Sequence, residues 1–360
     1  MSRAVLITYP DKYVIEEAEE LAKAAGYEPS KVLTQDYLSK ARFGVGKGKA
    51  EEAAKIVREI SADLVIFDSK LKTTQAYNLA ELCHVEVKDR EKIILEIFAK
   101  RVTTSEAKLQ VQLAELEYEL PKAKNRVRMA KRGEQPGFFG LGKYEVDVYV
   151  RMMKKRIGVL KEKVREVEKR REIFRRRRDS QKFPTLALAG YTAAGKTTLF
   201  NRLTGETKEV DAGVFTTLAP TTRVMMINER KVLITDTVGF ISNLPTYLIE
   251  AFKSTLEEVS LATVVLLLID VSQPEEKFLR SYDSSVQTLG DLQVAPSKTL
   301  VLLNKSDLTD QETIEKRKKM LGVEAIPLSS KTGYGINQLH DAIESELRSR
   351  DAEMKQVLAR

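Results

Sequence analysis

The chain has 360 residues, of which 42% are apolar and 31% charged, an ordinary mixture for a soluble protein of two or three domains. Its longest apolar run, Val264 to Ile269, is far short of the roughly 20 residues of a membrane helix, and MSRAVLITYP lacks the apolar region of a signal peptide. One cysteine, Cys83, and two histidines, His84 and His340, exclude an internal disulfide framework and argue against Cys- or His-based metal sites. The expected setting is the cytoplasm.

The net charge of +8 is unevenly spread. Lys122–Arg132 holds six Lys/Arg and no acid, and Arg151–Arg178 holds fourteen against four Glu. Together the two stretches carry +16 and the rest of the chain −8, which points to a polyanionic partner for one region.

In chain order, residues 1–92 read as a small parallel α/β domain. Strands are expected at Ala4–Thr8, Lys31–Tyr37, Asp63–Asp68 and Cys83–Val87, with helices at Val14–Ala25 and Ala50–Ile60. Residues 93–178 follow a 4-3 spacing: Leu109, Leu113, Leu116 and Leu120, then Met153, Ile157, Leu160, Val164, Val167, Arg171 and Phe174, interrupted in character at Arg171. That is the seam of a coiled coil. Pro121 and the turn-rich stretch Gly133–Gly142 interrupt it, which predicts a long antiparallel helical hairpin with a glycine-rich tip. Residues 183–348 return to strands at Thr185–Ala189, Arg223–Ile227, Lys231–Thr235, Val264–Asp270, Thr299–Leu303 and Ala325–Leu328, the size of one doubly wound domain. Residues 349–360 continue a last helix.

The chemistry is written in the third region. After the first of its strands comes Gly190-Tyr191-Thr192-Ala193-Ala194-Gly195-Lys196-Thr197, followed by a helical Thr198-Leu199-Phe200-Asn201. In such a loop, backbone N–H groups curl around phosphates, Lys196 reaches the β- and γ-phosphates, and the Thr197 hydroxyl ligates Mg²⁺. Asp236-Thr-Val-Gly239 follows a strand, so that Asp236 can hold a Mg²⁺-bound water and the Gly239 N–H can sense a γ-phosphate. Between them lies a polar loop, Phe215-Thr216-Thr217, whose Thr217 can close on the metal. Asn304-Lys305-Ser306-Asp307 supplies base recognition: the Asp307 carboxylate accepts from guanine N1–H and N2–H₂, Asn304 suits the N7/O6 edge, and the Lys305 stem covers the ring. Ser329-Ser330-Lys331 offers backbone donors to O6.

These five ordered motifs resemble those of translation-factor-like GTPases, and the chain as a whole resembles the HflX family. The resemblance is carried by Arg90–Pro121 (REKIILEIFAKRVTTSEAKLQVQLAELEYELP), Gly190–Asn201, Phe215–Arg223 (FTTLAPTTR) and Asp236–Leu244 (DTVGFISNL), and covers most of residues 40–345. It implies a helix-rich N-terminal domain before a GTPase domain, Mg²⁺-dependent hydrolysis of GTP to GDP, and binding to the large ribosomal subunit; bacterial members split ribosomes. Where the family has GYTNAGKST, Ala193 replaces the Asn that helps hold K⁺ in related GTPases, so hydrolysis is expected to be indifferent to potassium. Ala219 replaces the usual acid of the switch loop, and Gly140-Leu-Gly-Lys-Tyr144 replaces a GPGE-type stretch. Phe240 stands where Ras-like proteins carry a water-orienting Gln, so intrinsic hydrolysis should be slow.

The expected partners are GTP, GDP and, through the basic hairpin, ribosomal RNA, with no integral membrane partner and a monomeric state. The alternative is a GTPase whose coiled coil recognises a protein. Gly44-Val-Gly46-Lys47-Gly48-Lys49 precedes a helix and reads as a basic loop or a turn in preference to a second nucleotide site.

Overall fold

The computed structural model describes residues 1–131, 143–180, 183–206, 215, 221–242 and 253–358. It forms two compact units, Met1–Val167 and Glu168–Arg360.

The first unit is built on a parallel sheet of β1 (Ser2–Thr8), β2 (Tyr27–Thr34), β3 (Leu64–Phe67) and β4 (Glu86–Asp89), in the order β2-β1-β3-β4. Such strands are covered on both faces and read as continuous apolar runs, as Ala4–Ile7 and Leu64–Phe67 do. Helices α1 (Lys12–Ala24), α2 (Lys47–Glu59), α3 (Thr73–Cys83) and α4 (Arg90–Arg101) connect and cover them. Val5, Ile7, Val65 and Phe67 meet Ala50, Ala53 and Val57 of α2 in one core.

Two strand expectations shift. The second strand covers Tyr27–Thr34 in place of Lys31–Tyr37, because pairing with β1 starts at Ser2↔Tyr27 and ends at Thr8↔Thr34. Cys83 closes α3 and is not in a strand; His84 then caps that helix in the left-handed region at φ 57°, and pairing with β3 begins only at Glu86. At the glycine-rich stretch, Gly44 (φ +81°) lies against Phe67 and Leu71, where a Cβ would come within 2.7 Å, and Gly46 starts α2. Gly44 to Gly46 form a turn and Lys47, Gly48 and Lys49 open α2.

The helical hairpin follows as α5 (Ser105–Lys131) and α6 (Lys143–Ser180). Leu113, Ile157 and Leu160 are buried together, with Leu109, Leu116, Leu120 and Val164 packed around them, and Lys161 pairs with Glu117 at 2.8 Å. Contrary to expectation, Pro121 does not break the pattern: α5 runs through it. An interior proline removes one hydrogen bond and kinks a helix, but buried residues on both sides of it, Tyr118 and Ala123, keep the chain helical. Tyr118 further donates to Asp89 at 2.7 Å. The stretch Gly133–Gly142 lies outside the described residues.

The second unit is a six-stranded mixed sheet, β10-β9-β8-β5-β7-β6. The strands are β5 (Thr185–Gly190), β6 (Thr221–Ile227), β7 (Arg230–Asp236), β8 (Val264–Asp270), β9 (Thr299–Asn304) and β10 (Ala325–Pro327). All neighbours are parallel except the edge pair β6–β7. Helix α7 (Lys196–Thr204) follows β5, and the helix Ile336–Leu358 packs Leu339, Ile343 and Leu347 under Leu186, Leu188, Leu266 and Leu268. The carboxyl ends of β5, β7, β8, β9 and β10 therefore share one edge, where open α/β sheets bind ligands.

Candidate nucleotide site

The loop between β5 and α7 is shaped by two glycines. Gly190 has φ +136° and a Cβ there would lie 2.2 Å from the Leu268 carbonyl; Gly195 has φ +96° and a Cβ would lie 2.2 Å from Asn304 Nδ2. Only glycine fits either position. Ala193, also in the left-handed region at φ 60°, is not a glycine and bears some strain. Thr192 N–H donates to the Phe240 carbonyl at 2.8 Å and Ala194 N–H to the Tyr191 carbonyl at 3.3 Å. The N–H groups of Ala193, Gly195 and Lys196 meet no acceptor among the described residues. At a helix N-terminus this is a cradle for an anion.

Lys196 is buried and its Nζ donates to the carbonyls of Gly190 (2.9 Å) and Tyr191 (2.8 Å). Burial pulls its pKa down to about 8, against the upward pull of Asp236. Asp236, at the end of β7 and wholly buried, accepts a hydrogen bond from the Thr197 hydroxyl at 3.1 Å. Two hard oxygen donors thus meet at the foot of the loop, the donor chemistry that Mg²⁺ takes. Gly239 approaches Thr192 so closely that a Cβ would lie 2.9 Å from its methyl group and 3.2 Å from Lys196 Nζ.

Phe240 is buried at 1% exposure, and its backbone bridges to the loop: its N–H donates to the Gly190 carbonyl at 3.0 Å. One turn on, the Tyr191 hydroxyl lies 2.7 Å from Ser242 Oγ and accepts from Ser242 N–H at 2.9 Å. This clasp between Tyr191 and Ser242 had no signature in the sequence. Phe215 is buried, at φ 57°. Thr216, Thr217 and Ala219 lie outside the described residues.

The segments expected to read the base meet at this edge, with two departures: the Ser329 and Ser330 N–H groups, expected to face O6, donate instead to the Tyr334 carbonyl (3.0 Å) and to Asn304 Oδ1 (2.9 Å), and Asn304 is tied into the protein. Asn304, expected at the N7/O6 edge, has both ends of its amide engaged within the protein. Its Nδ2 donates to the Ala194 carbonyl at 2.7 Å, and its Oδ1 accepts from Ser330 N–H (2.9 Å) and Ser330 Oγ (2.8 Å). It ties the phosphate loop to the loop after β10. Lys305, at φ 63°, pairs with Asp270 at 2.6 Å, and Asp270 is further held by Ser272 and Gln273. Asp307 is exposed in the middle of the 3₁₀ turn Ser306–Leu308, while Ser329 and Ser330 are buried and Lys331 is exposed. Asp270 escaped the sequence reading, although an acid ending an apolar strand at this edge was a signal to follow.

A glycine-shaped loop ahead of a helix on this sheet order, with its lysine buried and Asn304 tied to it, defines a P-loop GTP-binding domain. Similarity to known families extends beyond this domain. Residues 12–99 match the model of a GTP-binding GTPase N-terminal domain, 101–178 a GTP-binding GTPase middle region, and 185–305 a 50S ribosome-binding GTPase. The GTPase HflX of Thermococcus kodakarensis is 41% identical over 305 residues, 85% of this chain and 69% of that protein. GTPase HflX of Escherichia coli is 36% identical over 92% of this chain and 79% of its own length. Among solved structures, a GTP-binding protein from the archaeon Sulfolobus solfataricus in complex with GDP is 27% identical, covering 97% of this chain and 99% of that one, with a TM-score of 0.50. The chain belongs to the HflX family of GTPases. No helix among the described residues is long and apolar enough to cross a membrane.

Proposed function

We propose that this GTPase is a GTP-switched factor that binds the large ribosomal subunit through its basic hairpin, in ribosome splitting or rescue. The observation that carries the ribosome contact is the +16 concentrated in Lys122–Arg132 and Arg151–Arg178, on the hairpin joined to the GTPase domain. Lys and Arg on a helix meet RNA phosphates with little regard to sequence.

In the nucleotide site, Gly190 to Thr198 would wrap the phosphates, with the unpartnered N–H groups of Ala193, Gly195 and Lys196 and the Lys196 ammonium as donors. Thr197, Asp236 and, on the sequence pattern, Thr217 would hold Mg²⁺, which when bound neutralises charge on the β- and γ-phosphates. Gly239 would sense the γ-phosphate and so set the loops that carry Phe215 and Thr217. Asp307 would read guanine, with Lys305 held by Asp270 and Asn304 bracing the pocket while its second Nδ2 hydrogen faces the N7/O6 edge. Phe240 has no group to align a water, so hydrolysis would be slow until a partner or backbone groups complete the site. The reading keeps the division 1–92, 93–178, 183–348 and a C-terminal helical end, a monomer in the cytoplasm.

One observation favours a protein partner as the second reading: Val148, Met152 and Val159 are exposed along α6. Sedimentation with purified subunits under GDP, a non-hydrolysable GTP analogue and no nucleotide tests both. The RNA reading expects co-sedimentation that depends on nucleotide, falls steeply with salt and weakens when Arg175 to Arg178 become Glu with GTP loading intact. Binding that is insensitive to salt and survives RNase treatment of the subunits would move the contact to protein.

A further inference from the structure

The loop after β10 uses nearly all of its backbone donors internally. Ser329 N–H donates to the Tyr334 carbonyl (3.0 Å), Ser330 N–H to Asn304 Oδ1 (2.9 Å), Thr332 N–H to Ser329 Oγ (3.0 Å) and Gly333 N–H to the Ser329 carbonyl (2.9 Å). Tyr334 N–H reaches Thr332 Oγ1 at 3.3 Å. Lys331 N–H is the exception: no acceptor among the described residues takes it.

The same peptide units are gripped from behind. Arg202, fewer than two turns beyond Lys196 on α7, donates through Nε to the Ser330 carbonyl at 2.6 Å and through a terminal nitrogen to the Lys331 carbonyl. The loop makes room for this guanidinium. Gly333 sits at φ +94°, and a Cβ there would lie 2.9 Å from Arg202 Nη1. In a planar trans peptide the C=O and N–H point in opposite directions. Holding the Ser330 carbonyl toward α7 therefore turns the Lys331 N–H away from α7.

We propose that Arg202 is a positioning residue for guanine recognition: by holding the Ser330 and Lys331 carbonyls it aims the Lys331 N–H at O6 of the base. The proposal rests on the base-pocket reading above. An N–H at that place donates to the guanine carbonyl and disfavours adenine, whose 6-amino group is itself a donor. Arg202 touches no substrate atom; it fixes the direction of a donor that does.

The test compares GDP with 2-aminopurine riboside diphosphate, which lacks O6 and reports binding by its own fluorescence. Arg202→Ala in the full chain should weaken GDP by about three- to tenfold, the range of one well-placed hydrogen bond. It should leave the O6-less nucleotide unchanged. Arg202→Lys, with one compact donor group in place of a fork, should restore GDP only in part, and it serves as the informative variant if Arg202→Ala does not fold. Equal weakening of both nucleotides would show a structural brace and overturn the proposal, as would unchanged GDP binding. Asp307→Asn separates the two layers. If it leaves GDP affinity unchanged, the base pocket itself is misplaced; if it weakens GDP while Arg202→Ala is unselective, only the role of Arg202 fails.

Discussion

Each of the two sheets buries a cation just beyond the carboxyl ends of its strands, and the two cations are satisfied differently. In the N-terminal unit, Arg90 follows β4 and pairs with Asp68 at 2.6 Å and with Glu17; Thr8 at the end of β1 donates to the same Asp68 at 2.7 Å. Burial works against the guanidinium charge, yet Asp68 and Glu17 hold its pKa above the ordinary arginine value. In the GTPase unit, the hydrogen bonds of Lys196 go to two backbone carbonyls, Asp236 acts on it only as a neighbouring charge, and its pKa falls to about 8. A cation closed off by its own carboxylates is structural. One whose hydrogen bonds go only to carbonyl dipoles is suited to an anion from outside.

The two cations should differ most on substitution of Lys196. Lys196→Met should cost at least about 100-fold in GTP affinity, several hydrogen-bonded and charge-assisted contacts being lost at once. It should leave the melting temperature equal or higher, because an under-compensated buried charge is gone. Nucleotide titration and thermal melting of the same sample check both halves. Arg90→Met should do the reverse: GTP binding intact, and the chain destabilised by about 3–5 kcal/mol in urea, because the buried Asp68 and the partly buried Glu17 are left without their partner. If Arg90→Met abolished nucleotide binding while the fold stood, the N-terminal cluster would not be merely structural.

The pH dependence sharpens the contrast. Phosphates raise the Lys196 pKa when they bind, so nucleotide binding takes up a proton wherever the free protein has lost it. GDP affinity should be flat below about pH 7 and fall as pH rises through 8, approaching about tenfold per unit. Calorimetry at pH 8 in buffers of different ionisation enthalpy should register uptake of about half a proton. No uptake would mean that Lys196 is already fully charged in the free protein. The smallest effect concerns Ala193. Hydrolysis in matched NaCl and KCl should proceed at equal rates. Ala193→Asn should make the rate respond to K⁺ and also stabilise the loop by about 0.5–1 kcal/mol, since Asn tolerates the left-handed φ that Ala resists.

Much of this was legible in the residues alone. The parallel sheets follow from their apolar runs, the hairpin from the 4-3 spacing of Leu109 to Leu120 and Met153 to Val164, and the phosphate loop from glycines whose positive φ admits no other residue. These are local signals, set by periodicity and by steric exclusion within a few residues. What failed locally was decided by packing. Pro121 sits inside a helix because Tyr118 and Ala123 are buried around it, and Cys83 ends a helix because β4 finds its register on β3 only from Glu86. Asn304 also braces two loops, because Ala194 and Ser330, 110 and 26 residues away in sequence, stand within hydrogen-bond reach of its amide. The clasp of Tyr191 on Ser242, the pairing of Lys305 with Asp270 and the grip of Arg202 on the Ser330 carbonyl are of the same kind. Sequence by itself determined the class of chemistry, because phosphate and guanine demand particular residue types at fixed spacing. Only the tertiary structure decided how those residues are held, because a hydrogen bond between distant segments leaves no period in the chain.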